Sequence, residues 1–308
     1  MENFSVIADP DASPYETTSH SRRLKVSWQG RPIIALSQGI YRPYIYPVFT
    51  PAGVLVTAEA PVDHPHHQSI TAGTDYLDLY RASHAPGGAT PNANYNFYMD
   101  EAFRGRAPGR ILTRSTQSTE VDENHLRLVQ RMDWQSPQDW ANADGTTLVE
   151  ETRIVDVYPG EVANIIDVRS RLLPTAGDIR IGGTVHGHFV VRLADGLRPV
   201  DGGTLTDSTG RTGATQVRGQ YADWVDSSGS AAHGHKAGVA LFPYPGSGDV
   251  PWHLSDWGFM MVNPFQVEAR QVNKGDTVEV AMRVVAHDGD VNEAGVAALY
   301  ASFVKDMT

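Results

Sequence analysis

The chain of 308 residues is 41% hydrophobic and 20% charged, carries a net charge of −11 and contains no cysteine. That hydrophobic content excludes a disordered protein, and the acidic balance offers nucleic acid or an anionic membrane no basic face. The missing cysteines exclude disulfides, thiolate metal sites, iron–sulfur clusters and cysteine nucleophiles.

Gly and Pro are spread through the whole sequence and mark no single linker, so 1–308 reads as one β-sandwich domain. Met1 to Pro10 has no charged segment leading into an apolar run, so no signal peptide is expected. No stretch nears the roughly 18 apolar residues of a membrane span. The expected location is cytoplasmic.

Along the chain, Tyr41-Arg42-Pro43-Tyr44-Ile45-Tyr46-Pro47 comes first. Arg42 is a forked donor for carboxylates or polarised oxygens, and it stacks on aromatic rings. Arg42, Tyr44 and Tyr46 are therefore candidate substrate-binding residues. An isolated surface arginine between tyrosines is the plain alternative.

The densest cluster follows, Asp63-His64-Pro65-His66-His67-Gln68. Imidazole acts as acid and base near neutral pH, or ligates a metal as the neutral ring. Pro65 opposes a helix here and favours an extended or turning backbone. In an extended segment His64 and His66 share one side and His67 points to the other. His64, His66 and His67 are candidate catalytic residues, with Asp63 beside them as a substrate-binding one. A polar loop with capping hydrogen bonds is the bland reading.

Residues 82–107 carry Pro86, Gly87, Gly88, Pro91 and several aromatics, and read as one long functional loop. Then alternation takes over. In His125–Trp134, Leu126, Leu128, Met132 and Trp134 oppose Arg127, Arg131 and Asp133. In Ile165–Leu172, Ile166, Val168 and Leu172 oppose Asp167, Arg169 and Arg171. Such segments are half-buried antiparallel strands with one wet face. Turn signals such as Asp144-Gly145 and Asp201-Gly202-Gly203 separate them.

His186-Gly187-His188 leads into the apolar run Phe189–Val191. On a strand both histidines share one face, which suits a metal or a polar ligand. Both are candidate catalytic residues, and a plain hydrogen-bonded pair is the alternative. His233-Gly234-His235 sits in a small-residue turn and reads as an exposed loop. Pro251-Trp252-His253-Leu254-Ser255-Asp256-Trp257 combines two indoles, an imidazole and a carboxylate. Indole faces stack on sugar rings while His and Asp bind hydroxyls. This nominates His253 as catalytic and Trp252 and Asp256 as substrate-binding, against a core aromatic plug.

In Thr277–Val285, Val278, Val280, Met282 and Val284 alternate with Glu279 and Arg283 as a further strand. The chain closes on a predicted helix over 290–305. Asp290 and Glu293 form a capping-box pattern, and Val296, Leu299, Tyr300 and Phe303 recur on one face. No phosphate loop, dinucleotide fingerprint, G-x-S-x-G or H-E-x-x-H is present, so no nucleotide cofactor is expected.

Several of these pieces together resemble a known family, the PmoA-like proteins. They are Arg42-Pro43-Tyr44-Ile45 with Pro47, Thr50-Pro51-Ala52-Gly53-Val54, Asp63-His64-Pro65-His66-His67, Trp224-Val225-Asp226 with Ser228-Gly229, Pro251-Trp252-His253, Asn263-Pro264-Phe265 and His287-Asp288-Gly289-Asp290. They run in order from about residue 40 to 305 and are specific as a set. The methane-oxygenase name does not transfer, because that enzyme is an integral membrane protein and this chain has no span. The resemblance implies a galactose-mutarotase-like supersandwich and a place in carbohydrate chemistry, and it adds Asn263 to the candidate substrate-binding residues. The chain departs from the family where Gln68 and Ser255 replace arginines, which removes two positive charges near the expected site.

The expectation is an all-β, large antiparallel β-sandwich with a C-terminal helix. It would act on a small-molecule sugar or glycoside, as a lyase or hydrolase cleaving a (keto-)glycoside by histidine acid/base chemistry. A mutarotase-like epimerase, a His-ligated metal enzyme and a non-catalytic carbohydrate-binding module are the alternatives. Any divalent metal would fall to His64, His66, His186 and His188.

Overall fold

The computed structural model describes residues 3–8, 20–81, 91–138, 143–231 and 234–307. The alternating segments assemble into three sheets. The first runs in the order Phe4–Ala8, His20–Trp28, Arg31–Gly39, Pro43–Val48, Ile70–Thr74, Gly187–Arg192, Phe259–Val262 and His253–Leu254. The second runs Thr204–Asp207, Val225–Ser230, Lys236–Pro243, Val278–Asp288, Ala163–Pro174, Thr147–Tyr158, His125–Gln135 and Arg110–Asp122. A third, smaller sheet runs Arg270–Val272, Asp178–Ile181, Leu77–Tyr80, Ala93–Asn96 and Ala107–Pro108. Among the described strands every pairing is antiparallel except the last, Ala93–Asn96 with Ala107–Pro108. Tight turns make this possible. Gln29 and Gly30 both take positive φ, as a two-residue hairpin between Trp28 and Arg31 requires. The class is all-β, an antiparallel sandwich with a C-terminal helix.

Burial follows the alternation. Leu126, Leu128, Met132 and Trp134 are all buried, and Arg127 and Arg131 turn outward. The core they enter also takes Val26, Ile34 and Leu36 from the first sheet and Leu79 and Ile179 from the third. Two expected wet positions are dry. Asp133 is buried with Arg114 as its partner, and Asp167 is buried against Arg283 at 2.7 and 2.8 Å. The outer face there is charged but internally paired, so the carboxylates need no water.

The helix spans Val296–Lys305 and begins later than 290. The capping box forms nonetheless. Asp290 Oδ1 accepts from the backbone N–H of Asn292 and Glu293, and Glu293 Oε2 accepts from Asp290 N–H. It closes a turn ahead of Gly295, whose left-handed backbone separates that turn from the helix. Val296 and Phe303 then pack on Phe242 and Val285 of the second sheet and on Trp224, which precedes one of its strands.

Residues 82–90 of the expected long loop lie outside the described residues. The remainder is not loop throughout, since Ala93–Asn96 and Ala107–Pro108 are strands. Between them the chain turns around buried Asn96. Its side chain accepts from Tyr98 and Met99 N–H and donates to Met99 and Glu101 carbonyls. Among the described residues no helix is long and apolar enough to cross a membrane.

Candidate functional site

Three elements converge outside the first sheet. The floor is its outer face, where His253 pairs with Met261 and Phe259 lies alongside. One wall is the segment from Pro61 to His67. Of the two conformations that Pro65 favours it takes the turning one, two successive turns: His64 N–H donates to Pro61 O and His67 N–H to His64 O. All three imidazoles therefore come together, with ring centroids 4.5 to 5.7 Å apart. The opposite wall is the Asn96 turn, which contributes Tyr98, Met99 and Phe103. The result is a pocket of about 370 Å³ that includes His64, His66, His67, His186 and His253 in its lining.

Each imidazole has a distinct setting. His186 Nδ1 lies 2.9 Å from Asp75 Oδ2, and the Asp75 side chain is fully buried. A carboxylate on one ring nitrogen orients the ring and leaves the other nitrogen to work. His64 has the same arrangement with Asp63, at 3.0 Å. Asp63 in turn receives Arg192 at 2.8 and 2.9 Å. Burial alone would raise the Asp63 carboxyl, but the hydrogen bonds from His64 and Arg192 outweigh it and hold it at about 2. His64 stacks face to face on Trp257, centroids 4.1 Å apart. Arg192, itself buried, sits 4.8 Å from the same indole.

The remaining three imidazoles are neutral at pH 7. Burial, then the Arg42 charge, pushes His66 down to about 4. Burial, then the neighbouring histidines, pushes His67 to about 2. Burial, then Arg218, pushes His253 to about 4. His67 Nε2 bonds the Tyr98 hydroxyl at 2.7 Å, and burial raises that phenol above its ordinary value.

Other expected residues lie elsewhere. His188 is fully buried beside Trp134, Phe189 and Phe265, not beside His186. The strand begins only at Gly187, whose φ of +146° breaks the alternation that would have aligned the two rings. The four-histidine metal set is therefore not assembled. Among the described residues no group of three or more His, Asp or Glu is disposed to hold a metal ion. Trp252 is a core residue whose indole N–H donates to Ala222 O, and Trp257 supplies the aromatic face instead. Asp256 accepts from Ala214 N–H, and Asn263 ties Thr184 O to Phe265 N–H. Tyr44 is buried against Glu59. Arg42 is buried beneath His66, donating to its carbonyl and pairing with Asp100 at 2.5 Å.

Tyr46 faces a second, open groove of about 1210 Å³ across the 58–63 segment, with Glu59, Arg198 and His235. His233 lies outside the described residues. Asp75, Tyr98, Arg192 and Arg218 were not singled out by sequence. The one local signal was Arg192, a charge closing an apolar strand.

A family assignment covers nearly all of this architecture, matching residues 23–301. The chain belongs to DUF6807, a family of unknown function. No curated protein matches it. Among solved structures, it is similar to the alpha-galactosidase AgaA of Geobacillus stearothermophilus bound to raffinose, at 11% identity over 77% of this chain and 33% of that one, TM-score 0.35. The alpha-galactosidase AgaB of the same organism matches at 9% identity over 94% and 42%, TM-score 0.40. A galactose mutarotase-like protein of Lactobacillus casei matches at 9% identity over 92% and 100%, TM-score 0.35. The chain thus spans about a third of AgaA and two fifths of AgaB.

Proposed function

We propose that this protein is an enzyme that cleaves a sugar or oxidised glycoside by histidine acid/base chemistry, through elimination beside a carbonyl. The observation that carries the reading is a pair of carboxylate-backed imidazoles, His186–Asp75 and His64–Asp63, lining one pocket with the Trp257 indole. A purely binding site needs the indole but not two such dyads.

His186 Nε2 takes the proton from the carbon next to the carbonyl, and the C–H electron pair moves onto the carbonyl oxygen as an enolate. Return of that pair expels the glycosidic oxygen, which takes a proton from His64 acting as general acid. No water is consumed and no net oxidation occurs. Asp75 stabilises the imidazolium formed at His186. Each such positioned group is worth roughly 10²–10⁴ in rate. Trp257, stacked on His64, lines the pocket together with Phe259 and Met261 as its apolar surface.

The test is p-nitrophenol release from a p-nitrophenyl glucoside and from its 3-keto form, by wild type and His186→Ala. Release from the keto form alone, lost in the variant, is expected. Release from the plain glucoside would make the reaction ordinary hydrolysis. Faster mutarotation of a free sugar without release would make it an epimerase, and binding without turnover a carbohydrate-binding module.

A further inference from the structure

Among the described residues Arg218 is the one with a permanent charge in the pocket lining, and no carboxylate of theirs lines it. The two aspartates, Asp75 and Asp63, stand behind their histidines. His66, His67 and His253 are uncharged at pH 7. The other nearby arginines, Arg42 and Arg192, each pair with a carboxylate, Asp100 and Asp63, and neither lines the pocket. Arg218 pairs with no carboxylate among the described residues. Its Nε donates to Leu254 O at 2.7 Å, and its two terminal nitrogens have no partner among the described residues.

Its position is fixed. Gly219 N–H donates to Trp252 O and Trp252 N–H to Gln220 O, so the 218–220 segment is laced to the strand that carries His253. One edge of the guanidinium is held on Leu254 and the rest of the fork is left for a ligand.

Arg218 is exposed at the pocket mouth, so a neutral ligand makes no use of its charge. An anionic substituent turns the same geometry into a charge-assisted hydrogen bond. A single fork with two free nitrogens matches the two oxygens of a carboxylate. The same fork also fits a phosphate, and the test below separates the two anions.

We infer that the substrate is an acidic sugar, and that Arg218 at the pocket rim binds its carboxylate. This rests on the enzymatic reading above and names the substrate class of the same site.

Titration calorimetry tests it with glucuronate and galacturonate, their neutral parents glucose and galactose, and glucose 6-phosphate. One uronate should bind at least about tenfold tighter than its neutral parent. Arg218→Gln should erase that preference while keeping the affinity for the neutral sugar, and Arg218→Lys should restore part of it. Melting curves establish that both variants fold. Equal binding of acid and neutral sugar by the wild type would overturn the inference, as would a preference unchanged in Arg218→Gln. Tighter binding of the 6-phosphate than of either uronate would overturn the carboxylate. Arg218-dependent uronate binding with no turnover of any glycoside would end the enzymatic reading and leave this one standing. Turnover of a neutral keto-glycoside by a wild type that binds neither uronate more tightly than its neutral parent would do the reverse.

Discussion

The outer face of the second sheet and the pocket on the first sheet treat charge in opposite ways. On the second sheet, fully buried Asp156 is held by His125 and Arg127 at 2.7 Å and by Arg169 at 3.4 Å, and Asp167 is held by Arg283. Around the pocket, buried polar atoms are left over. Asp75 Oδ1, His67 Nδ1, Arg42 Nε and the Arg192 Nε and Nη1 atoms have no partner among the described residues. Buried polar groups are ordinarily satisfied; of these atoms only His67 Nδ1 belongs to a residue lining the pocket, and on the second sheet Arg169 Nε is likewise without a partner. Charges that satisfy one another hold a scaffold together. Charges with unused hydrogen-bonding capacity are held ready for something else.

Removing one carboxylate from each region separates the two roles. Asp75→Asn keeps the side chain's shape but ends its ability to stabilise an imidazolium. Turnover should fall roughly 10³-fold, with little change in melting temperature. Asp156→Ala should do the opposite, lowering stability by about 3 kcal/mol in denaturant titration while turnover per folded molecule stays constant. Equal loss of activity in both variants would erase the distinction.

Acid sharpens the contrast further. His66, His253 and His188 lie near 4 when folded, against 6.5 for an ordinary imidazole, and burial is the leading cause in each. Protonation therefore favours the unfolded chain. The stability of these groups is complete above about pH 6.5 and is lost as pH falls from there toward 4. His287 works the other way: burial lowers it, but its bond to Asp226 outweighs that and raises it. Stability measured across this window should be less steep in His188→Phe than in the wild type, by up to about 1.4 kcal/mol per pH unit. An unchanged slope would mean that His188 is already charged in the folded core.

The strands were legible because alternation is local. Leu126, Leu128, Met132 and Trp134 announce their face within ten residues. The helix was legible as a face but not in its start, because the Asp290–Glu293 box can close a turn as well as a helix. Of the site, the Asp63–His67 cluster, His186 and His253 could be picked out by residue type. Their convergence could not, nor could Asp75, Tyr98 or Arg218, which are unremarkable where they stand in the chain. The two failures are instructive. Trp252 and Trp257 sit five residues apart, yet one fills the core and the other faces the pocket. His186 and His188 share a parity that Gly187 cancels.

The pocket is also a statement about sequence separation. Asp75 reaches His186 across 111 positions, and Asp63 reaches Arg192 across 129. Closing loops of that length is entropically unfavourable until the sheets that link them exist. The chemistry therefore belongs to no hairpin or half of the chain. It arises when the whole topology has closed, so a fragment from either end would carry histidines but no site.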